Sequence, residues 1–233
     1  MEMRYTPFES GTRLELMDGD QQVSGLLVFD LRMNIGGAWV RCGGIGDVHT
    51  NRERRMRGCG RRLLEECVAW MRQEGYHLSA LFGIPNFYYR FGYAPGLVES
   101  DASVATRQAE LAPRRYVARE FTPEDAPAVV DLYTRQHARR TGVIARDRAT
   151  WKGFRRGAGW AERVAGFVVT AGEQVVGYAS YNIDPWRFAI GEVGYRDSSV
   201  FGSLLAEMAR RAVEARVERV SLALPADDPF LVY

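Results

Sequence analysis

The sequence predicts an α/β protein built from two copies of one unit. Each copy is a mixed, mostly antiparallel sheet flanked by helices, and the second copy is degenerate and expected to be incomplete. Three observations lead there. Short strands and turns precede an amphipathic helix in each half of the chain. A series of landmarks recurs in the same order in both halves. A loop dense in arginine and glycine occurs in the first half alone.

The strands come first. Arg13 to Met17 alternates in polarity, Asp18-Gly-Asp20 makes a turn, and Val23 to Phe29 continues as an apolar strand, together a hairpin. Asn34-Ile-Gly-Gly37 is a second turn, followed by a strand through Trp39 and another from Ile45 to Thr50. From Gly60 the period changes: Leu63, Leu64, Cys67, Val68 and Met71 fall on one helical face, with Gly75 placed as a C-terminal cap. His77 to Phe82 reads as a buried strand, Gly83 to Asn86 breaks it, and Phe87 to Tyr93 (FYYRFGY) reads as a short aromatic helix and turn.

Residues 96–113 are polar and rich in Ala, Ser and Pro, the composition of a connection, so domains are expected at 1–113 and 114–233. Tyr116 to Glu120 is a short strand. Thr122-Pro-Glu-Asp125 carries the signals of a helix start, with Ala126, Val129, Val130 and Tyr133 on the apolar face. The landmarks then repeat. Residues 17–25 are echoed at 170–177, Ile45-Gly-Asp-Val48 at Ile190-Gly-Glu-Val193, Gly60 to Leu64 at Gly202 to Leu205, and 77–85 at 219–225. The second copy is shorter between its landmarks and lacks the arginine-rich segment. It also ends at Tyr233 with two strands expected to follow, so truncation at its C-terminal end is expected.

Composition narrows the function. A formal charge of +2 is far from the balance of a dedicated nucleic-acid binder. Lys152 is the only lysine, so nearly all positive charge is arginine. Cys42, Cys59 and Cys67 form no CxxC pair, and His49, His77 and His137 lack metal-ligand spacing, so neither a disulfide framework nor a metal site is expected. No apolar run approaches the roughly 18 residues of a membrane span, and the N-terminus lacks the apolar core of a signal peptide. A cytoplasmic protein is expected.

The chemistry centres on Arg55-Met-Arg-Gly-Cys-Gly60, which follows a strand and opens a helix. The first amides of a helix have no internal acceptor, and its dipole adds positive character there. Glycines let backbone approach a diphosphate, and arginines add charge-assisted hydrogen bonds. A tight turn with a solvated basic face is the plainer reading of such a loop. A triphosphate loop is excluded, since GxxxxGK[ST] is absent. The basic run ends at once in Leu63 and Leu64, unlike a nucleic-acid surface.

These residues resemble the GNAT N-acetyltransferases, whose signature Arg/Gln-x-x-Gly-x-Gly/Ala is matched by Arg55, Gly58 and Gly60. The aromatic run 87–93 is similar to the motif that follows the next strand in that family. Gly43 to Val48 and Leu81 to Pro85 look most like the enhanced-intracellular-survival branch, whose members carry tandem GNAT domains. The resemblance implies acetyl-CoA as cosubstrate, with no metal, and acetyl transfer to a primary amine by direct attack. It implies that Val48 and Thr50 offer backbone groups to the pantetheine arm, and that Arg55, Met56, Arg57, Gly58, Cys59, Gly60 and Arg61 surround the pyrophosphate. It implies Tyr88 as the general acid that protonates the departing thiolate; aromatic packing is the plainer reading of that residue.

For the base, Asp47 and His49 share a strand face by period two, and a structural hydrogen bond at a strand end is the alternative for Asp47. Arg52 stands where the family usually has proline, and the region before Arg13 is short for the two helices that border the family's acceptor cleft. The partners expected are a small-molecule or peptide amine and a second copy of the chain, with no nucleic acid and no membrane. Two other readings stand beside this one: a non-catalytic acyl-CoA sensor or scaffold, and a nucleic-acid-binding protein using the arginine cluster.

Overall fold

The computed structural model describes residues 1–84, 86–97, 100–154, 163–182 and 188–233. Pro85, part of the break after the buried strand, lies outside them. The chain divides into two compact units, Met1–Gly96 with Arg139–Ala145, and Leu97–Ala138 with Arg146–Tyr233.

The sheet of the first unit has the order β1-β2-β3-β4-β5. Its strands are β1 (Glu2–Phe8), β2 (Gly11–Asp18), β3 (Gln21–Ile35), β4 (Ala38–Thr50) and β5 (Leu78–Leu81). All neighbours are antiparallel except β4 and β5, which run parallel. The β3–β4 turn is a two-residue hairpin through Gly36 and Gly37, both at positive φ, as a type I′ turn demands.

Two expectations change here. β1 is a strand where the sequence shows no apolar alternation, because this edge strand is mostly solvent-facing. The two strands expected around Gly43-Gly44 are one continuous β4. Its glycines admit neighbours from both faces: a Cβ on Gly43 would lie 2.5 Å from Met71 Sδ, and one on Gly44 2.6 Å from Leu31 Cδ1.

The helix α1 (Cys59–Gln73) joins β4 to β5. It buries Leu63, Leu64, Cys67 and Met71 against Leu14, Leu16, Leu26, Val28 and Ile45, each fully buried aliphatic side chain contributing about 1.5–3 kcal/mol. The expected cap forms: Gly75 sits at φ 76°, and the Tyr76 amide donates to the Met71 carbonyl at 3.0 Å. The same unit takes in residues 142–145, which bond to the β3 edge through Asn34 N–H to Val143 C=O (2.9 Å) and Ala145 N–H to Arg32 C=O (2.8 Å).

The second unit repeats the pattern. Its strands are β6 (Ala102–Ala105), β7 (Val117–Glu120), β8 (Val164–Ala171), β9 (Gln174–Asn182), β10 (Ala189–Tyr195) and β11 (Arg219–Leu222). Its helices are α2 (Thr106–Ala109), α3 (Ala126–His137) and α4 (Phe201–Glu214). The sheet order is β6-β11-β10-β9-β8-β7, with β10 and β11 parallel. The two halves agree down to the hairpin turns: Asp18 pairs with Gln21 and Ala171 with Gln174, around Gly19 and Gly172, both at φ 60°.

The connection expected over 96–113 is corrected. Residues 102–105 are a strand that pairs antiparallel with β11, Ala102 opposite Leu222 and Ala105 opposite Arg219. Its small residues read as linker because its partner lies far along the chain. The units therefore divide at Gly96/Leu97 rather than at 113/114. The outer edge of β11 is taken by β6.

Candidate functional site

β4 and β5 pair only from Cys42–Leu78 to Ile45–Leu81. Beyond that point β4 runs on to Thr50, while the chain after Leu81 leaves the sheet. The two strands thus part, leaving the outer edge of β4 from Gly46 to Thr50 without a strand neighbour among the described residues. A bulge marks the place. Leu27 pairs with Gly46 and Gly25 with His49, so β4 carries one extra residue, and Asp47 takes the left-handed region at φ 51°. Aspartate is among the few non-glycine residues that tolerate it.

The strand ends against the helix start. Thr50 Oγ1 lies 2.9 Å from Ser24 Oγ, whose own proton goes to the His49 carbonyl at 2.7 Å. A Cβ on Gly60 would lie 3.1 Å from Thr50 Oγ1, so the glycine lets helix and strand end meet. Arg52–Arg54 forms a single 3-10 turn. Met56 (φ 60°, fully exposed) and Gly58 (φ 80°) both adopt left-handed backbone, and Gly58 is the residue that opens α1. The first bond of α1 runs from the Arg62 amide to the Gly58 carbonyl at 3.0 Å. The amides of Cys59, Gly60 and Arg61 precede it and have no acceptor within the helix. Gly58 supplies no side chain to cap them.

The arginines divide into two sets. Arg54 pairs with Asp18 at 2.9 Å, and Arg55 Nε donates to the Thr50 carbonyl at 3.2 Å, so both brace the loop. Arg57 and Arg61 are exposed and make no ion pair among the described residues. Cys59 is buried in the core of the first unit.

Tyr88 begins the 3-10 turn Tyr88–Phe91 beyond β5. Its ring packs on Gly83, where a Cβ would come within 2.4 Å of Cδ2, and meets Phe87 edge-on at 4.9 Å. The ring is half-buried, and its hydroxyl has no hydrogen-bond partner among the described residues. Burial pushes its pKa above the ordinary tyrosine value. Of the two base candidates, Gln22 Nε2 donates to His49 Nε2 at 3.1 Å, which leaves the ring proton on Nδ1 to bond the Asp47 carbonyl at 2.8 Å. Both His49 nitrogens are therefore engaged, whereas the Asp47 carboxylate is exposed, 3.8 Å from His49 Nδ1. Val48 is half-buried within the bulge.

The second unit handles the matching place differently. Asp197 caps the turn before α4, accepting the Ser199 amide at 2.9 Å. Hydrogen bonds from Ser199 and Arg196 hold its carboxyl down at about 2. Gly202 is packed against Pro113, whose carbonyl oxygen would be 2.6 Å from an added Cβ, and Ser203 Oγ accepts the Arg115 and Tyr116 amides at 3.0 Å each. On the other face, Glu192, at the position matching Asp47, is bonded by Arg146 (2.7 Å) and Tyr178 (2.6 Å), with the Arg146 guanidinium 3.8 Å from the Tyr133 ring. Asp197 was missed by the sequence reading, although an aspartate followed by two serines after a strand is a capping signal.

Residues 4–96 match the sequence model of the acetyltransferase (GNAT) domain. No curated protein matches the chain at a significant level. Among solved structures, a GCN5-related N-acetyltransferase from Kribbella flavida is similar at 23% identity and TM-score 0.75, over 93% of this chain and 54% of that one. A GCN5-related N-acetyltransferase from Anabaena variabilis gives 16% identity and TM-score 0.77, over 94% and 57%. Eis1 from Mycobacterium abscessus gives 17% identity and TM-score 0.63, over 94% and 58%. The chain thus spans just over half the length of these structures. The fold is that of tandem GNAT-like domains, as the sequence resemblance implied.

Proposed function

We propose, from the GNAT acetyltransferase domain carried by residues 4–96, that the first unit binds acetyl-CoA and catalyses acetyl transfer to a primary amine. The observation that carries this reading is the parting of β4 and β5 beside a helix start with free amides. An anion fits there, because three amides have no acceptor within the helix, Gly58 adds no side chain, and Arg57 and Arg61 make no ion pair among the described residues. Met56, Gly58, Cys59, Gly60 and Arg61 would hold the diphosphate chiefly by backbone amides, with Arg57 and Arg61 adding charge. Arg55 acts mainly by bracing the loop on Thr50. The exposed β4 edge at Val48 and Thr50 suits the amide groups of a pantetheine arm.

Acetyl-CoA supplies the acyl group as a thioester. The amine nitrogen forms the new bond to the carbonyl carbon, the C–S bond breaks, and the sulfur takes the Tyr88 hydroxyl proton. A tyrosine whose hydroxyl is otherwise unpartnered, and whose pKa is raised, holds that proton ready. The amine must shed a proton before or during attack. The exposed Asp47 carboxylate is the available acceptor, since His49 is engaged at both ring nitrogens. The second unit serves as scaffold: Asp197 caps the 3-10 turn that leads into α4.

Calorimetry with acetyl-CoA tests binding, and thiol release across a panel of primary amines tests transfer. Binding without turnover on any amine would instead support an acyl-CoA sensor. No binding at millimolar ligand would overturn both.

A further inference from the structure

Tyr93 ends the aromatic run, and its hydroxyl reaches Ser79 Oγ at 2.8 Å. Ser79 lies on β5, directly opposite Gly43 in the β4–β5 pairing, and its Oγ donates to the Gly43 carbonyl at 2.9 Å. A serine hydroxyl carries one proton. With that proton committed to the carbonyl, Tyr93 is the donor in the first link. The order is therefore Tyr93 O–H to Ser79 O–H to Gly43 C=O, a chain that runs from the loop into the last stretch where β4 and β5 still pair.

The same loop carries Tyr88. The Tyr88 and Tyr93 rings meet edge-on at 6.1 Å, and Gly92 at φ 89° turns the chain between the 3-10 turn and Tyr93. Leu81, Phe87, Tyr88, Phe91 and Tyr93 all pack on the buried cluster of the first unit. Packing fixes the ring planes, but apolar contacts let the segment slide. A directional bond at one end does not. Burial pushes the Tyr93 pKa up to about 12, so the hydroxyl stays a donor throughout the working range.

We infer that Tyr93 is a positioning residue: its bond to Ser79 anchors the aromatic segment to the β4–β5 pair and thereby sets the Tyr88 hydroxyl at the point where the strands part. The inference rests on the acyl-transfer reading and goes beyond it, because a phenylalanine at 93 would fill the same space and lack only the anchor.

The test uses the full chain with acetyl-CoA and 1,4-diaminobutane, or the best amine of the panel, in a cycle of Tyr88→Phe, Tyr93→Phe and the double variant. Tyr93→Phe is expected to lower kcat about tenfold, a part of the 10²–10⁴ that general acid catalysis contributes. The KM for acetyl-CoA and the calorimetric affinity should not change. In the Tyr88→Phe background the same change should have little further effect, since nothing is left to position. Ser79→Ala, which cuts the chain at its middle, should reproduce the kcat loss and add little to Tyr93→Phe. An equal loss from Tyr93→Phe with and without the Tyr88 hydroxyl overturns the positioning role alone. A Tyr88→Phe variant with undiminished turnover overturns the acid assignment and the positioning role together.

Discussion

Asp197 Oδ1 accepts the Ser199 amide at 2.9 Å and so caps, with the chain's own carboxylate, the 3-10 turn that leads into α4, whereas Gly58 before α1 has no side chain to cap with. Two helices at matching points of a repeat thus differ in one respect that matters to an anion. One start has no side-chain cap and is flanked by Arg57 and Arg61, which make no ion pair among the described residues. The other is preceded by a turn capped from within.

Stoichiometry follows from this contrast. Calorimetric titration of the full chain with acetyl-CoA should give one site per chain. Reversing the charge at Arg57 or Arg61 should weaken binding about tenfold or more each, the worth of a charge-assisted hydrogen bond. A second site surviving Arg57→Glu would contradict the expectation of one site per chain.

Gly58 offers a purely conformational test. Nothing lies within 4 Å of a Cβ built there, yet φ is 80°. Gly58→Ala should cost about 1–2 kcal/mol from the left-handed backbone alone, read as a lower urea midpoint with an unchanged slope.

Gly83 offers a steric one. Its added Cβ would lie 2.4 Å from Tyr88 Cδ2 and 2.7 Å from Leu81 Cδ1. Gly83→Ala should therefore displace the Tyr88 ring and reduce kcat while leaving acetyl-CoA affinity intact, the pattern expected of Tyr88→Phe itself. Unchanged kcat in Gly83→Ala would separate Tyr88 from the chemistry.

The Tyr88 reading also fixes the sign of a pH dependence. A general acid works while protonated, and burial raises this hydroxyl above its usual value of about 10. The alkaline fall in kcat should therefore begin above about pH 10 and vanish in Tyr88→Phe. An alkaline limb that survives the substitution belongs to another group.

At the start of α3, Arg119 grips Asp125 through two bonds of 2.7 Å, and Asp125 also accepts the Thr122 amide at 2.9 Å. The Arg119 bond leads the effects that hold the Asp125 pKa below its ordinary value. A depressed carboxylate contributes stability above its unfolded pKa, near 3.9, and loses it as pH falls through the folded value. Asp125→Asn should cost about 1–2 kcal/mol at pH 7. That deficit should shrink on acidification below about pH 4, as measured by urea unfolding of both proteins across the range.

Local chemistry was the legible part of this molecule. Two-residue turns announce themselves through Gly36-Gly37 and Gly19, and α1 through its apolar face and its Gly75 cap. The arginine loop was readable for the same reason, since its glycines, charges and helix start are contiguous. β1 was not, because an edge strand open to solvent has no apolar face to show. β6 was missed because its partner, β11, is distant in sequence and its own residues are small. In the site, Tyr88 carried a signal within its motif. The Tyr93–Ser79–Gly43 chain carried none, since it depends on where a loop returns to a strand.

The short run that lines the β3 edge bears on how the protein is made. Gly36 N–H bonds the Thr141 hydroxyl at 3.0 Å across a sequence separation of 105, and Gly142 and Ala145 bond the same edge. During synthesis the first sheet therefore waits, with that edge bare, until the ribosome has delivered residues that follow α3. A gene cut after codon 96 would encode the whole arginine loop and Tyr88, yet release a chain whose β3 edge is open to strands of its neighbours.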